Sequence, residues 1–174
     1  RVLGPPSLSR EIRLRIAASE NICTELLPAL LSEFWHKTPW IKWNVFSGNS
    51  REIIREIMER RARVGIFFTP PNKHARIEAS VLGRARFSLV CGATNTRLKG
   101  LARRWDLDTL QRSYYIGSRI EDYRRPYPAL HMLSQLGLKP SLFFEANSLE
   151  VQKRMAMEAI GYTILPKHMI EREL

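Results

Sequence analysis

The sequence predicts an α/β fold in which helices cover a parallel sheet. The segment EIRLRIAAS alternates apolar and charged residues with the period of two that is typical of a strand. Two later segments, WIKWNVF and RVGIFF, also have strand character, and amphipathic helical segments separate the three strands. The resulting βαβαβ order needs a crossover helix between strands, so it predicts parallel pairing.

The first predicted helix contains a proline. Apolar residues recur at helical spacing from Ile22 to Phe34, and Pro28 lies within this run. A proline in a helix interior removes a hydrogen bond and clashes with the preceding turn. We therefore expect a kink at Pro28, or a regular helix that begins there. In the preceding strand, Arg13 and Arg15 are expected to face water.

The second helix is predicted to follow SGNS, where Asn49 with Glu52, or Ser50, supplies the N-cap. Further strands are predicted at IEASVL, FSLVCGA, YYIGS, LFFEANS and YTILP. Further helices are predicted over LKGLARRWDLDTLQRS, PALHMLSQLG and LEVQKRMAMEAIG. Ser148 is the expected N-cap of the last helix. The residues of this helix that are expected to be buried are Leu149, Val151, Met155 and Ile160.

Composition restricts the class of protein. With 174 residues, 44% of them hydrophobic, the chain is expected to fold around one substantial core or as two small lobes. No apolar run approaches the roughly 20 residues that span a bilayer, so no membrane partner is expected. No export signal opens the sequence, and the expected location is cytoplasmic. Because the first residue is Arg1, we expect a piece of a longer protein.

The net charge is +11, from 28 Lys and Arg against 17 Asp and Glu. Such a balance is compatible with nucleic acid, an acidic partner or an anionic ligand. The arginines do not form one tract but are scattered along the sequence. Scattered charge favours an ordinary solvated surface over one continuous binding tract.

Polar residues recur where predicted strands end. Ser19 and Asn21 follow the first strand, Asn49 and Ser50 follow the second, and Ser118 ends a later one. Ligands of open α/β sheets bind outside the carboxyl ends of strands, where helix N-termini attract carboxylates and phosphates. Plain helix capping is the alternative for any one of these residues. Their joint placement favours a ligand site.

Catalytic and metal-binding patterns are absent from the sequence. The four histidines are dispersed, and GxSxG, P-loop and GxGxxG motifs do not occur. Cys23 and Cys91 have no metal-type spacing and are expected to be reduced and buried. We therefore predict no metal, no cofactor and no enzymatic activity.

Four segments together resemble the effector-binding domain of LysR-type transcriptional regulators. They are LRIAASENICTELLPALLSEFWHKTP, NSREIIREIMERRARVGIFF, VLGRARFSLVCGATN and SLEVQKRMAMEAIGYTILPKHMIEREL. The family pattern is a strand, a small polar residue, Leu-Leu-Pro, and a helix that ends before a proline. Here these features are Leu14 to Ser19, Asn21, Leu26-Leu27-Pro28 and Pro39. The resemblance covers nearly the whole chain.

The resemblance implies a type 2 periplasmic-binding-protein-like fold. Such a fold has two α/β lobes, two crossover strands that join them, and a ligand cleft between them. On this basis residues 1–11 are a linker remnant, 12–89 and 147–174 form lobe I, and 90–146 form lobe II. The implied effector-contacting residues lie at or near Ser19, Asn21, Asn49, Ser50, Thr69 and Ser118.

The function implied by the resemblance is that of an effector-sensing and oligomerisation domain. The domain would bind a small, anionic metabolite and form a homodimer or homotetramer. DNA would be bound through an N-terminal winged helix-turn-helix that this chain does not contain.

Three alternatives remain open from the sequence. A solute-binding protein of a transport system shares the fold, but the missing export signal counts against it. An enzyme on the same scaffold, such as a lyase, would need an acid–base pair that the sequence does not offer. Direct nucleic-acid binding by this basic chain would appear as strong, salt-dependent binding.

Overall fold

The computed structural model describes residues 12–68, 76–102, 104, 106–118, 128–171 and 173. The chain divides into two compact units, unit 1 (Arg1–Gly83) and unit 2 (Arg84–Leu174). The described strands are β1 (Ile12–Ala18), β2 (Ile41–Ser47), β3 (Val64–Ile66), β4 (Phe87–Cys91), β5 (Tyr114–Gly117), β6 (Ser141–Glu145) and β7 (Tyr162–Pro166). The described α-helices are α1 (Glu20–Glu25), α2 (Leu27–Lys37), α3 (Ser50–Met58), α4 (Leu107–Gln111), α5 (Pro128–Gln135) and α6 (Leu149–Met157). None of the helices in this part of the chain has the length and apolar character that a membrane crossing requires.

Unit 1 contains a three-stranded parallel sheet in the order β2-β1-β3. β1 pairs with β2 along its whole length, from Ile12 opposite Ile41 to Ala18 opposite Ser47. On its other side β1 pairs with β3, where Ala18 lies opposite Ile66. The βαβαβ order and the parallel pairing predicted from the sequence are confirmed.

Helices pack against both faces of this sheet, because successive residues of a strand point to opposite faces. Ala17 packs with Ile53 of α3. Ala18 packs instead with Ile22 of α1 and Leu27 of α2. Both alanines are completely buried. Small side chains at these two positions let a helical layer lie close to the central strand on each face.

The helix after β1 is interrupted beside Pro28, as predicted. α1 ends at Glu25, and α2 begins at Leu27 with Pro28 in its first turn. Proline is tolerated at this position because the first amides of a helix have no acceptor within the helix.

The expectation that both arginines of β1 face water is wrong for Arg15. Arg13 is exposed, whereas Arg15 is half-buried, and its guanidinium lies 3.2 Å from the carboxylate of Glu56 on α3. Glu56 is itself buried and also pairs with Arg61 at 2.9 Å. Arg15 is drawn into the structure because a buried carboxylate needs a cationic partner.

Unit 2 contains a four-stranded mixed sheet in the order β4-β7-β5-β6. β7 runs antiparallel to β4 and parallel to β5, which in turn runs parallel to β6. α6 packs against β4, β5 and β7. A core around Tyr115 and Tyr162 joins the sheet to α4 and α5 through Leu110 and Leu133.

The predicted lobe boundaries differ from this division into units. Residues 147–174, assigned to lobe I from the resemblance, contain α6 and β7, and both elements lie in unit 2. β7 belongs with β4 and β5 because its backbone hydrogen bonds are made to those strands. Residues 1–11, predicted as a linker remnant, lie outside the described residues.

Two predicted elements of secondary structure are wrong. IEASVL forms no regular strand with any described residue, and Val81 and Leu82 are 87% and 81% exposed. The predicted helix LKGLARRWDLDTLQRS is instead a 3-10 turn, Lys99–Ala102, followed by α4. α4 starts separately because the side chain of Asp106 accepts a hydrogen bond from Asp108 N and caps it.

Gly92 lies where β4 ends and comes close to the backbone at the end of α6. A Cβ atom on Gly92 would lie 2.5 Å from Met157 O and 2.9 Å from Ala156 O. We predict that Gly92→Ala lowers the free energy of unfolding by about 1–3 kcal/mol, because backbone atoms cannot move aside easily. Urea unfolding at equilibrium measures this change.

Gly100→Ala is the matched control, since no described atom outside the local backbone lies within 4 Å of the Cβ position at Gly100. Its free energy of unfolding is expected to stay within about 0.5 kcal/mol of the parent value. Equal stability of the two variants would contradict the packing of α6 against the end of β4.

Candidate functional site

The carboxyl ends of the three parallel strands of unit 1 lie at one edge of the sheet. Ser19 N, just after β1, donates to Ile66 O at 3.1 Å, and Gly48 N, just after β2, donates to Ala18 O at 3.1 Å. The first bond ties the segment after β1 to the end of β3, and the second ties the segment after β2 to the end of β1. The structure therefore brings to one edge the two polar segments of unit 1 that the sequence predicts to bind a ligand.

Ser19 precedes α1, but its side chain does not cap the helix. The Ser19 carbonyl accepts from Ile22 N at 2.9 Å and from Cys23 N at 3.0 Å. The hydroxyl makes no capping hydrogen bond within the described structure. Plain capping therefore does not explain the Ser19 hydroxyl, which can donate its proton to another group.

Asn21, in the first turn of α1, is a buried amide with an unpaired donor. The residue is 2% exposed, and its Nδ2 makes no hydrogen bond to any described residue. A buried donor that lacks a partner costs about 1–3 kcal/mol. Such donors are uncommon in folded proteins, and an oxygen atom of a ligand would satisfy this one.

Asn49 starts α3 with a reciprocal capping box. Its Oδ1 accepts from Arg51 N and Glu52 N, both at 3.0 Å, and its own N–H donates to Glu52 Oε2 at 2.8 Å. The Asn49 side-chain oxygen is therefore engaged by the helix. Ser50 differs, because its hydroxyl makes no hydrogen bond among the described residues. Ser50 can contact a ligand without breaking an existing bond.

Carboxylates occupy the first turns of both helices at this edge. Glu20 lies in α1 and Glu52 in α3. A negative side chain at this position complements the positive end of the helix dipole. The attraction of this edge for a ligand thus depends on the unpaired side-chain donors more than on the helix dipoles.

Cys23 lies close to the ends of β1 and β2. Its Sγ is 3.5 Å from Ala18 O and 3.9 Å from Phe46 O. Burial is the main cause that raises the pKa of the Cys23 thiol, so the thiol is protonated at neutral pH. Cys23 and Cys91 are free thiols, as expected, but half-buried where full burial was expected. Among the described residues, no three His, Cys, Asp or Glu side chains are grouped so that they could hold a metal ion.

In unit 2, Ser118 follows β5 and belongs to a network of hydrogen bonds. Its hydroxyl donates to the carbonyl of Ala146, which follows β6, at 2.8 Å. Gln152 Nε2 on α6 donates to Ser118 Oγ at 3.1 Å and to Ala146 O at 2.7 Å. Thr163 on β7 donates to Gln152 Oε1 at 3.2 Å. The network holds Ser118 against the ends of two neighbouring strands.

Gln152 contacts the predicted site residue Ser118, but the apolar pattern of α6 does not predict that Gln152 is buried. Val151 was expected to be buried but is 43% exposed, whereas Gln152 is completely buried. The available signal is the spacing of four residues from Ser148, whose hydroxyl caps the helix by accepting from Val151 N at 3.3 Å. Residues four apart lie on one face of a helix. Ser148 lies just after β6, so Gln152 also lies near the carboxyl end of that strand. Thr69, the remaining predicted site residue, lies outside the described residues.

A shallow pocket of about 440 Å³ lies elsewhere on unit 2. Its lining residues are Arg97, Gly100, Leu101, Arg104, Asp106 and Thr109. The Arg97 guanidinium donates to Arg112 O at 3.2 Å, and Asp106 is engaged as the cap of α4. The charged groups of this pocket are exposed, and it has no buried, unpaired donor comparable to Asn21.

Comparison with protein families gives a match over nearly the whole chain. The family model described as LysR substrate binding domain matches residues 9–174. The HTH-type transcriptional regulator CysL of Bacillus subtilis (strain 168) is 23% identical over 161 residues, which cover 92% of this chain and 52% of that protein. The chain thus spans about half the length of this relative.

Two solved structures have the same fold. The effector binding domain of BenM with its effector benzoate matches with a TM-score of 0.71 and 16% identity, covering 92% of this chain and 72% of that one. The effector binding domain of QuiR in complex with shikimate matches with a TM-score of 0.76 and 16% identity, covering 94% and 78%. At such low identity the likeness establishes the fold alone. The predicted type 2 periplasmic-binding-protein-like fold is confirmed.

Asn21 and Asn49, which lie at this edge of the unit 1 sheet, are expected to respond differently to substitution. Asn49→Ala removes a helix cap, so we predict that it lowers the free energy of unfolding by about 1 kcal/mol. Asn21→Leu removes an unpaired buried donor, so the free energy should stay the same or rise by about 1 kcal/mol. Equilibrium unfolding in urea measures both changes.

Asn49→Ser is the control for capping, because serine also accepts from first-turn amides and should restore most of the loss. A loss of stability for Asn21→Leu as large as that for Asn49→Ala would contradict the unpaired state of the Asn21 amide.

Proposed function

The chain belongs to the LysR substrate binding domain family, and we propose that it is the effector-sensing domain of a LysR-type, DNA-binding transcriptional regulator. The observation that carries this proposal is the buried, unpaired Nδ2 of Asn21 at the carboxyl edge of a parallel sheet. The hydroxyls of Ser19 and Ser50 add donors at the same edge. Sensing requires reversible binding and no bond cleavage, so the proposed domain is not an enzyme.

The donor set favours an effector that carries a carboxylate or a similar group of oxygen acceptors. Ionised carboxylates accept hydrogen bonds and do not donate them, which suits the Asn21 amide and the two serine hydroxyls. Benzoate and shikimate, the ligands of BenM and QuiR, are both carboxylates. A net charge of +11 also raises the local concentration of anions.

In the proposed regulator, the effector changes the equilibrium between two arrangements of the protein. A ligand shifts such an equilibrium only as far as its affinities for the two arrangements differ. DNA would be bound by a winged helix-turn-helix outside this chain. The chain matches 52% of the length of its relative CysL. A regulator of this kind would act in the cytoplasm, where it meets both its metabolite and its DNA.

An exposed apolar stripe on unit 1 supports self-association as a homodimer or homotetramer. Leu26, Leu30 and Phe34 recur at every fourth position and are 41%, 50% and 51% exposed. Val45 lies on β2, an edge strand of the sheet, and is 43% exposed. Exposed apolar side chains that recur on one face of a helix are typical of protein interfaces. We propose that a second copy of the chain covers the stripe.

The first test is thermal unfolding in the presence of small molecules. Benzoate, shikimate and inorganic phosphate are compared with the neutral compounds benzamide and cyclohexanol. Selective binding of an anion is expected to raise the Tm by about 5–10 °C at a hundredfold excess over its Kd, because the ligand stabilises only the folded state. The double variant Asn21→Ala/Ser50→Ala should lose this rise.

Ser134→Ala is the control, because Ser134 lies on α5, where its hydroxyl donates to His131 O. This variant should keep the full rise. An equal rise with the neutral compounds would contradict an anionic effector, and a rise that persists in the double variant would contradict the assigned donors.

The second test concerns the apolar stripe. Leu30→Glu places a charge within the stripe and should weaken self-association about tenfold or more, because a charge would be buried in the interface. Light scattering after size-exclusion chromatography measures the mass. Ser32→Glu adds the same charge to an exposed position of α2 and should leave the mass unchanged. A parent chain that is monomeric at high concentration would contradict the proposal.

A further inference from the structure

A buried lysine ties the segment that follows β7 to α6. Lys153 on α6 is 5% exposed, and its ammonium group has three protons to donate. The Nζ atom lies 2.9 Å from a carboxylate oxygen of Glu150 and 2.9 Å from one of Glu173, and it donates to Met169 O at 3.3 Å. All three protons therefore have an acceptor. Two of these acceptors, on Met169 and Glu173, belong to the segment after β7.

We call this segment, residues 167–171 with 173, the strap. Lys167 N donates to Arg86 O at 2.8 Å, which fixes the start of the strap beside the beginning of β4. Two further backbone hydrogen bonds stay within the strap, from Ile170 N to Lys167 O and from Glu173 N to Ile170 O, both at 3.1 Å. A single turn of this kind is not stable on its own in water. The exchange rate of these amides therefore reports whether the strap is docked.

The apolar side chains of the strap belong to a small cluster of their own. Met169 and Ile170 are buried and pack with Leu165 of β7, and Val90 of β4 and Leu149 of α6 lie against the same cluster. The main core of unit 2, which joins the sheet to α4 and α5, is a separate cluster. A segment that packs in its own cluster can open locally while the main core stays intact.

The charged groups that hold the strap are unequally exposed. The side chain of Lys153 is 6% exposed, whereas those of Glu150 and Glu173 are 38% and 32% exposed. A buried ammonium group needs its carboxylate partners, so Lys153 draws Glu173 and the strap toward α6. We propose that the strap opens as a unit while the sheet of unit 2 stays folded, and that the ion pair of Lys153 with Glu173 is the latch that sets how often it opens. This conformational device depends on no ligand, so it goes beyond the proposed function.

Glu173→Ala opens the latch without removing the buried charge. Lys153 keeps its pair with Glu150 and its bond to Met169 O in this variant, so unit 2 should still fold. A hydrogen bond between charged groups corresponds to about a tenfold change or more in an equilibrium constant. The open population of the strap should therefore rise about tenfold.

The test is amide hydrogen exchange in the 174-residue chain, followed by NMR. In Glu173→Ala the Ile170 amide should exchange about tenfold faster than in the parent chain. The amides of β7 should stay within about twofold of their parent rates, because the sheet does not open. Urea unfolding confirms that the variant folds.

Glu171→Ala is the matched control. It removes the same charge from the same strap, but the Glu171 side chain is 58% exposed and its carboxylate lies 3.8 Å from Lys167 Nζ. An exposed ion pair of this kind contributes little, so exchange of the Ile170 amide should stay within about twofold of the parent rate.

Lys153→Met supplies the second comparison, because it removes the other half of the latch. When Glu173→Ala is added to Lys153→Met, exchange of the Ile170 amide should change by less than about twofold, since the partner of Glu173 is already gone.

The outcomes separate the strap from its latch. A tenfold rise at Ile170 that is absent from Glu171→Ala and from the Lys153→Met background supports both. An equal rise at the amides of β7 overturns the separate opening of the strap. No rise at Ile170 in Glu173→Ala, the same rise in Glu171→Ala, or the same rise with and without Lys153 overturns the latch.

Discussion

The parallel pairing of β1 with β2 and β3 is the constraint on which unit 1 depends. Parallel strands need crossover helices, and their carboxyl ends must lie at the same edge of the sheet. The register sets Ala18 beside both Ser47 and Ile66, so the chain leaves neighbouring strands at one level. The starts of α1 and α3 follow from that register. Ala17 and Ala18 keep both helical layers close to the sheet, and a larger side chain at either position would displace one layer.

The two units use polar groups at their strand ends in opposite ways. In unit 1 the amide of Asn21 is buried without a partner, so this edge offers a donor. In unit 2 the Ser118 hydroxyl donates to Ala146 O and accepts from Gln152 Nε2, so this hydroxyl is already engaged within the protein. The two hydroxyls differ because only one of them has an amide partner. Gln152, four residues after the Ser148 cap of α6, reaches Ser118, whereas no described amide of α1 reaches the Ser19 hydroxyl.

Local patterns predict much of this fold, and long-range partners decide the rest. Strand alternation and the position of Pro28 depend on neighbouring residues, so the order of unit 1 and the break before α2 are predictable. The pairing of Arg15 with Glu56 joins distant segments, and nothing in the alternation of β1 indicates it. IEASVL alternates like a strand, but alternation predicts a strand only where another strand is available to pair with it. The sequence predicts that four polar residues follow strand ends: Ser19, Asn21, Asn49 and Ser50. Which of them caps a helix depends on side-chain geometry that spacing does not contain.

The most direct test of the central claim is an amide chemical-shift titration of the ¹⁵N-labelled chain with benzoate, followed by shikimate. Binding at the strand ends of unit 1 predicts that the largest shifts belong to Ser19 to Asn21 and Asn49 to Ser50. Shifts confined to the pocket of Arg97 and Arg104, with these amides unchanged at saturation, would contradict the claim that unpaired groups at the strand ends bind the effector.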